Sequence, residues 1–241
     1  MRSFKMKMGK ILASLALMVT AYNINAACIF LVHQPKIQRR RKIAKILMGF
    51  SISEKVVDKL IDGNIIESED KELYTYGFHQ GFLIIFNILT AIAIGLLFKM
   101  VLESVIFLMA YIPLRSYAGG YHAKTPLRCY MFSIIIMIVV FLGIKFIYWN
   151  NFICSIITFC ATSIIFALQP VEDSNKPLDQ KEIDVYKKRT KIILLVLIGI
   201  GLIFWFVDNK QISITIIMAL LIIAFMLILG KIKNTIIVKN Y

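Results

Sequence analysis

The stretch YMFSIIIMIVVFLGIKFIYW, residues 130–149, is almost wholly apolar, and Lys145 is its one charged side chain. A helix of about twenty residues crosses a hydrocarbon core roughly 30 Å thick. Asn150 and Asn151 follow this stretch, and another apolar run begins directly after them. Two apolar blocks joined by such a short polar turn predict a hairpin of membrane-spanning helices.

Blocks of similar length recur along the chain. The sequence has 241 residues and is 59% hydrophobic, whereas soluble domains are closer to half apolar and distribute those residues with helix or strand periodicity. The second block ends near Pro113, which predicts that its helix stops there. We therefore predict an all-α polytopic membrane protein with six transmembrane helices, preceded by N-terminal amphipathic helices. The predicted spans are residues 77–98, 100–114, 130–149, 151–168, 191–207 and 212–230.

Lys and Arg residues concentrate in alternate connections: before the first span, in residues 115–129, in residues 169–190 and in the C-terminal tail. Short loops rich in Lys and Arg remain in the cytoplasm. This bias predicts a multi-pass protein of the cell membrane with both ends and the 115–129 loop on the cytoplasmic side. The net charge of +14 follows the same loops without an aromatic platform for bases. Anionic lipid therefore explains the charge better than a nucleic-acid partner does.

Residues 46–76 precede the first span and have a different pattern. Ser53 is followed at helical spacing by the apolar residues Val56, Val57, Leu60 and Ile61. This pattern predicts a short amphipathic helix that ends near Gly63 and lies in the cytoplasm or at the membrane interface. A second helix is predicted to begin at Ser68 and Glu69.

The loop that follows the second span contains residue types that carry chemistry. A cysteine peptidase uses a thiolate as nucleophile and an imidazole that takes its proton and later protonates the leaving amine. Cys129 and His122 supply both groups. Gly119 and Gly120 allow backbone conformations that could turn an N–H toward an oxyanion. Residue types alone leave two interpretations open, a catalytic pair and a positively charged structural loop.

The cysteines do not indicate a metal site. The four of them, Cys28, Cys129, Cys154 and Cys160, lack the paired spacing of metal ligands. Cys154 and Cys160 lie inside an apolar run and are most simply small hydrophobic residues. Neither a metal ion nor an organic cofactor is expected.

The loop carries, in this order, Arg115, Gly120, His122 and Cys129. This order in a six-span protein resembles the AgrB family of Gram-positive quorum-sensing peptidases. The resemblance extends over residues 51–241 and implies that His122 and Cys129 form the catalytic pair. It also implies that Arg115 and Gly120 are needed for processing and that the protein forms a homodimer.

One loop departs from that family. Some members carry a lysine run before a proline, whereas the matching residues here read DSNKP and leave only Lys176. The resemblance therefore implies a supporting or substrate-binding role for Lys176 without the full cluster. Residues 77–241 would form the six-span peptidase domain, with residues 115–129 as its catalytic loop.

Residues 1–45 contain the stretch AACIFLVHQPK, which resembles AgrD, the precursor of cyclic thiolactone signals. By that resemblance, residues 1–27 are an amphipathic leader, residues 28–32 the signal core and residues 33–45 the tail. The ring would run from Cys28 to Val32, and the cut would fall between Val32 and His33. Residue types alone also allow a secretory signal peptide, a lipoprotein signal or a seventh span.

Together, the two resemblances imply a membrane-embedded cysteine endopeptidase that cuts an AgrD-type precursor, which could be its own N-terminus. Cys129 would form an acyl-enzyme, and Cys28 would displace it to give a cyclic thiolactone. The alternative is a non-catalytic peptide exporter or scaffold. An exporter should carry several charges within its spans, whereas only Glu103 and Lys145 lie in their interiors.

Overall fold

The computed structural model describes residues 48–121, 126–172 and 179–239 of the chain. The precursor-like segment with Cys28, Val32 and His33 lies outside the described residues, as do His122 and Lys176. The chain divides into two compact units, one up to Leu89 and one from Thr90 onward.

The described residues form seven α-helices, and six of these are long and apolar enough to cross a membrane. This finding confirms the predicted all-α class with six candidate spans. Within the described ranges, the chain forms no strand. One isolated parallel bridge pairs the backbone at Gly119 with the backbone at Val171. The helices are α1 (Met48–Asp62), α2 (Lys71–Leu97), α3 (Val101–Ala118), α4 (Pro126–Phe146), α5 (Asn151–Leu168), α6 (Gln180–Phe206) and α7 (Lys210–Lys239).

The first unit contains α1 and most of α2. Helix α1 is the amphipathic helix that the sequence predicts, and it ends one residue before Gly63. Val57 lies on the apolar face of this helix and is fully buried, and Ser53 on the same helix is also buried. A short 3-10 turn, Ser68–Asp70, leads directly into α2. The Lys71 ammonium and the Asp58 carboxylate are 2.5 Å apart and link the start of α2 to α1.

Helix α7 forms the centre of the second unit. It packs against α3, α4, α5 and α6. Ala219, Ile223 and Leu227 follow one another at intervals of four residues and have no exposed surface. This spacing places them on one face of the helix. Helix α7 is therefore surrounded by the other spans of this unit, and it can support loops at their ends.

Two helix boundaries differ from the prediction. Helix α3 continues through Pro113 to Ala118, although proline removes a hydrogen bond from a helix interior. Its residues Leu114, Tyr117 and Ala118 are buried, and their packing offsets that loss. The prediction that α3 stops at Pro113 was therefore wrong, and two glycines end the helix instead.

The second difference concerns the start of α6. The sequence predicts a span from residue 191, but the helix begins at Gln180. Asp179 and Glu182 form a capping box, in which each side chain accepts a hydrogen bond from the backbone near the other. Such reciprocal bonds satisfy N–H groups that a helix start leaves without partners. Much of the predicted 169–190 loop is therefore helical.

Candidate active site

Helix α3 ends in a turn that only glycine adopts readily. Gly119 and Gly120 have φ angles of 75° and 118°, a region that side chains with a Cβ rarely occupy. Space is restricted as well, since a Cβ at Gly119 would collide with the Val171 carbonyl. A Cβ at Gly120 would stand 2.9 Å from the Met226 oxygen. We refer to residues 119–121 as the glycine loop.

A second segment, residues 169–172, pairs with the glycine loop and is called the Val171 loop below. The Val171 N–H donates to the Ala118 oxygen at 2.9 Å, and the Gly120 N–H donates to the Val171 oxygen at 3.3 Å. The Tyr121 N–H donates to the Met226 oxygen in α7 at 2.9 Å. Two distant parts of the chain, the Val171 loop and α7, therefore fix the backbone directly before His122.

These hydrogen bonds bear on the oxyanion hypothesis. The Gly119 N–H donates to the Arg115 oxygen at 3.1 Å, so the N–H groups of Gly119, Gly120 and Tyr121 all have protein acceptors. An oxyanion could use them only if these bonds were broken. In this geometry, the glycine pair contributes the shape of the loop rather than free donors.

Arg115 lies in the last turn of α3 and reaches forward over the glycine loop. Its two terminal nitrogens donate to the carbonyl oxygens of Gly119 and Tyr121. A guanidinium is suited to this task because its donors form a rigid planar fork. Arg115 therefore holds the two carbonyls on either side of Gly120 and sets the conformation of the residue that precedes His122.

Cys129 lies in the first turn of α4, and its side chain is exposed. The Tyr111 hydroxyl is close enough to interact electrostatically with both Cys129 and Arg115. Tyr111 and Arg115 are four residues apart and therefore share one face of α3. The Phe107 ring, one turn earlier, stacks on the Tyr111 ring at 5.2 Å. Tyr111 was not predicted from the sequence, although it lies one helical turn before Arg115 in the same helix.

Helix α7 completes the support of the glycine loop. A Cβ at Gly230 would lie 2.7 Å from the Gly120 carbonyl carbon and 2.8 Å from the Tyr121 nitrogen. The Lys233 ammonium lies 5.4 Å from the centre of the Tyr121 ring. The side-chain amide of Asn234 donates to the backbone carbonyl oxygen of Glu172 at 2.7 Å. Helix α7 thus contacts both loops, which local sequence patterns could not indicate.

The cationic side chain of Arg189 in α6 contacts a tyrosine near the carboxyl end of α3. Arg189 of α6 donates to the Tyr117 hydroxyl at 3.0 Å, and its guanidinium carbon lies 5.2 Å from the centre of that ring. The Tyr186 ring meets Tyr117 edge-on at 5.7 Å. These contacts join α6 to α3, so Arg189 has a structural role in this unit.

Of the predicted site residues, the structure brings Arg115, Gly119 and Gly120 into one hydrogen-bonded turn. Tyr111 lies near both Arg115 and Cys129. Within the described ranges, no three His, Cys, Asp or Glu side chains gather as a metal site would require.

A family model described as "Accessory gene regulator B" matches residues 53–227. The chain belongs to the AgrB family. The AgrB match includes both loops, Cys129 and most of α7, whereas residues 1–45 and Gly230 fall outside it.

Named relatives agree with AgrB membership. An AgrB-like protein of Clostridium perfringens strain SM101 is 33% identical over 147 residues, covering 58% of this chain and 65% of the relative. AgrB-like protein 2 of C. perfringens strain 13 is 30% identical over 148 residues, covering 58% and 68%. Protein FsrB of Enterococcus faecalis strain OG1RF is 32% identical over 158 residues, covering 63% and 62%. The chain therefore spans about two thirds of each relative's length. No solved structure matches the chain significantly.

Proposed function

We propose that this AgrB family member is a cysteine endopeptidase of the cell membrane that processes the precursor of a quorum-sensing peptide. Cys129 is the nucleophile and His122 the general base. The observation that supports this assignment most directly is the exposed thiol of Cys129. It lies beside the face of α3 that carries Tyr111 and Arg115, and Arg115 holds the glycine loop. A nucleophile must be accessible to substrate, and its base must be held in place.

The reaction proceeds in two exchanges. His122 takes the proton of Cys129, and the thiolate attacks the carbonyl carbon of the residue before the scissile bond. The amine of the tail then leaves with the proton held by His122, and an acyl-enzyme thioester remains. The thiol that begins the signal core attacks this thioester, which closes a thiolactone ring and regenerates Cys129.

The energies of the two exchanges differ. The second replaces one thioester with another and is close to neutral, whereas the first converts an amide into a thioester and is uphill. Removal of the tail fragment or export of the ring would therefore draw the reaction forward. Holding the core next to the acyl-enzyme raises the effective concentration of its thiol, which favours ring closure over hydrolysis.

The substrate is an AgrD-type precursor, and the chain carries a candidate in its own residues 1–45. By this proposal, the ring runs from Cys28 to Val32, and cleavage separates Val32 from His33. Helix α1 begins at Met48, so the tail is joined closely to the enzyme. Lys176 is proposed to support substrate binding.

The orientation and assembly are also proposed. Lys and Arg are concentrated in residues 115–129 and 169–190, which favours a cytoplasmic position for the active site and for both ends of the chain. The AgrB membership supports a homodimer in the bilayer. Labelling of Cys129 by an impermeant maleimide, in right-side-out and inside-out vesicles, tests the side of the membrane directly.

The enzymatic assignment is tested by the intact mass of full-length protein purified from membranes. The wild-type chain should lose residues 1–32 and gain a new amino terminus at His33, whereas Cys129→Ser should stay uncut. Cys160→Ser is the matched control because Cys160 is also exposed but lies in α5. Equal cleavage in the Cys129→Ser chain would exclude Cys129 as the nucleophile and favour a non-catalytic role.

A further inference from the structure

Gln169 is a buried carboxamide whose polar atoms have no partner among the residues that the structure describes. The residue is 6% exposed. Its side-chain oxygen and nitrogen are both buried, and neither has a hydrogen bond within the described part of the chain. Buried polar groups in folded proteins are almost always hydrogen-bonded, because an unpaired group loses its contacts with water without replacement. The described residues therefore supply no partner for this buried polar side chain.

The position of Gln169 connects it with the candidate active site. It directly follows α5, and its backbone N–H donates to the Ile165 oxygen at 3.1 Å. Two residues later, Val171 makes the two backbone hydrogen bonds that pair the Val171 loop with Ala118 and Gly120. Gln169 thus begins the segment that supports the glycine loop. Because both polar atoms are buried, a partner could reach them only by inserting beside these paired loops.

The chemistry of the side chain limits the partner. A carboxamide carries one oxygen that accepts and one nitrogen that donates, and it has no charge. A peptide group has the complementary set, since its N–H can donate to the oxygen and its C=O can accept from the nitrogen. A charged partner would lose much of its hydration in this buried position. An uncharged peptide group satisfies both atoms without that loss.

We propose that Gln169 is a substrate-binding residue that hydrogen-bonds a backbone peptide group of the precursor beside the scissile bond. This inference rests on the proposed peptidase function. Gln169 would hold the extended core at the paired loops while Cys129 attacks. It would take no proton and form no covalent bond.

The test replaces Gln169 with methionine, which has a similar length and no hydrogen-bonding amide. Removal of an unpaired buried amide should leave the melting temperature unchanged or raise it, when it is compared between full-length chains that both carry Cys129→Ser and so stay uncut. The rate at which chains lose residues 1–32, followed by intact mass after induction, should fall about tenfold. A purely structural role would instead lower the melting temperature along with the rate.

Thr162→Val is the matched control. The Thr162 hydroxyl is also buried and has no partner in the described ranges, and it lies on α5 two turns before Gln169. Its replacement should likewise preserve or raise the melting temperature, but processing should continue at the wild-type rate. Wild-type processing in Gln169→Met as well would overturn the proposal, because a partner such as trapped water would then suffice.

A second readout separates substrate binding from activation of the nucleophile. The rate at which iodoacetamide alkylates Cys129, resolved by peptide mapping, should be the same in Gln169→Met and in the wild type. A parallel fall in the alkylation rate would show that Gln169 affects the reactivity of the Cys129 thiol. That result would contradict a role in substrate binding. Failure of the peptidase proposal itself would appear separately, as equal cleavage in wild type and Cys129→Ser.

Discussion

Gly230 in α7 packs directly against Gly120 at the end of α3. A Cβ at position 230 would stand 2.7 Å from the Gly120 carbonyl carbon. The Tyr121 N–H also donates to the Met226 oxygen, one helical turn before Gly230. The glycine loop and α7 therefore fit together only while both positions lack side chains.

We expect Gly230→Ala to push the glycine loop away from α7. A displacement near 1 Å at a catalytic loop can lower activity by about a hundredfold, so processing should fall strongly. The measurement is the processed fraction by intact mass, together with the melting temperature in detergent. Gly199→Ala is the control, because a Cβ there meets nothing within 4 Å in the middle of α6. That change should stabilise the helix by up to about 1 kcal/mol and leave processing intact.

Arg115→Lys should lower processing about tenfold although the charge is kept. A lysine ammonium cannot reproduce the planar fork that bonds the Gly119 and Tyr121 carbonyls. Backbone amides in residues 119–121 should then exchange hydrogen faster. Ser116→Ala is the control, since Ser116 is exposed and its hydroxyl bonds only to the backbone of its own helix. Unchanged amide exchange in Arg115→Lys would contradict the proposed positioning role.

Tyr111→Phe removes the hydroxyl that interacts with Arg115 and Cys129, but it keeps the stacked contact with Phe107. A hydrogen bond from this hydroxyl to the Cys129 thiolate during the reaction would contribute about 1.5–3 kcal/mol, so we expect at least a tenfold loss in processing. Site-resolved alkylation of Cys129 should slow as well, with little change in melting temperature. Tyr148→Phe, at a side chain that is 81% exposed, should match the wild type in every assay. Normal alkylation in Tyr111→Phe would show that the hydroxyl does not act on the thiol.

The two proposed thiol roles predict different products. Cys129→Ser should give neither cleavage nor a ring, because no acyl-enzyme forms. Cys28→Ser should still permit acyl-enzyme formation, followed by hydrolysis to a linear peptide or by slow closure of a lactone. Mass spectrometry distinguishes these products, since the ring is one water lighter than the linear core. Identical uncut chains in both variants would contradict separate roles for the two residues.

Local sequence patterns predicted the class of the fold and its six spans, but they misplaced the end of α3 and the start of α6. Apolar blocks near twenty residues identified six spans because the bilayer fixes their length. Pro113 was misleading because burial of the residues after it outweighs a lost helix hydrogen bond. The start of α6 carried a readable signal in Asp179 and Glu182, which form a capping box.

The site was predictable to the extent that its residues are close in sequence. Arg115, Gly119, Gly120 and Cys129 fall in one short stretch. Gly230 and Gln169 meet this region only through packing between distant helices, and nothing near them in the sequence indicates it. The orphaned polar atoms of Gln169 become visible only when burial is known.

The backbone bond from Tyr121 to Met226 has a consequence for biosynthesis. Ribosomes make the chain from its amino end, so the precursor-like residues 1–45 are made first and α7 much later. The glycine loop can adopt its supported form only after Met226 and Gly230 have entered the membrane beside it. A nascent chain would therefore carry its candidate substrate while its peptidase is still unassembled. Such an order would delay the proposed processing until insertion of the protein is nearly complete.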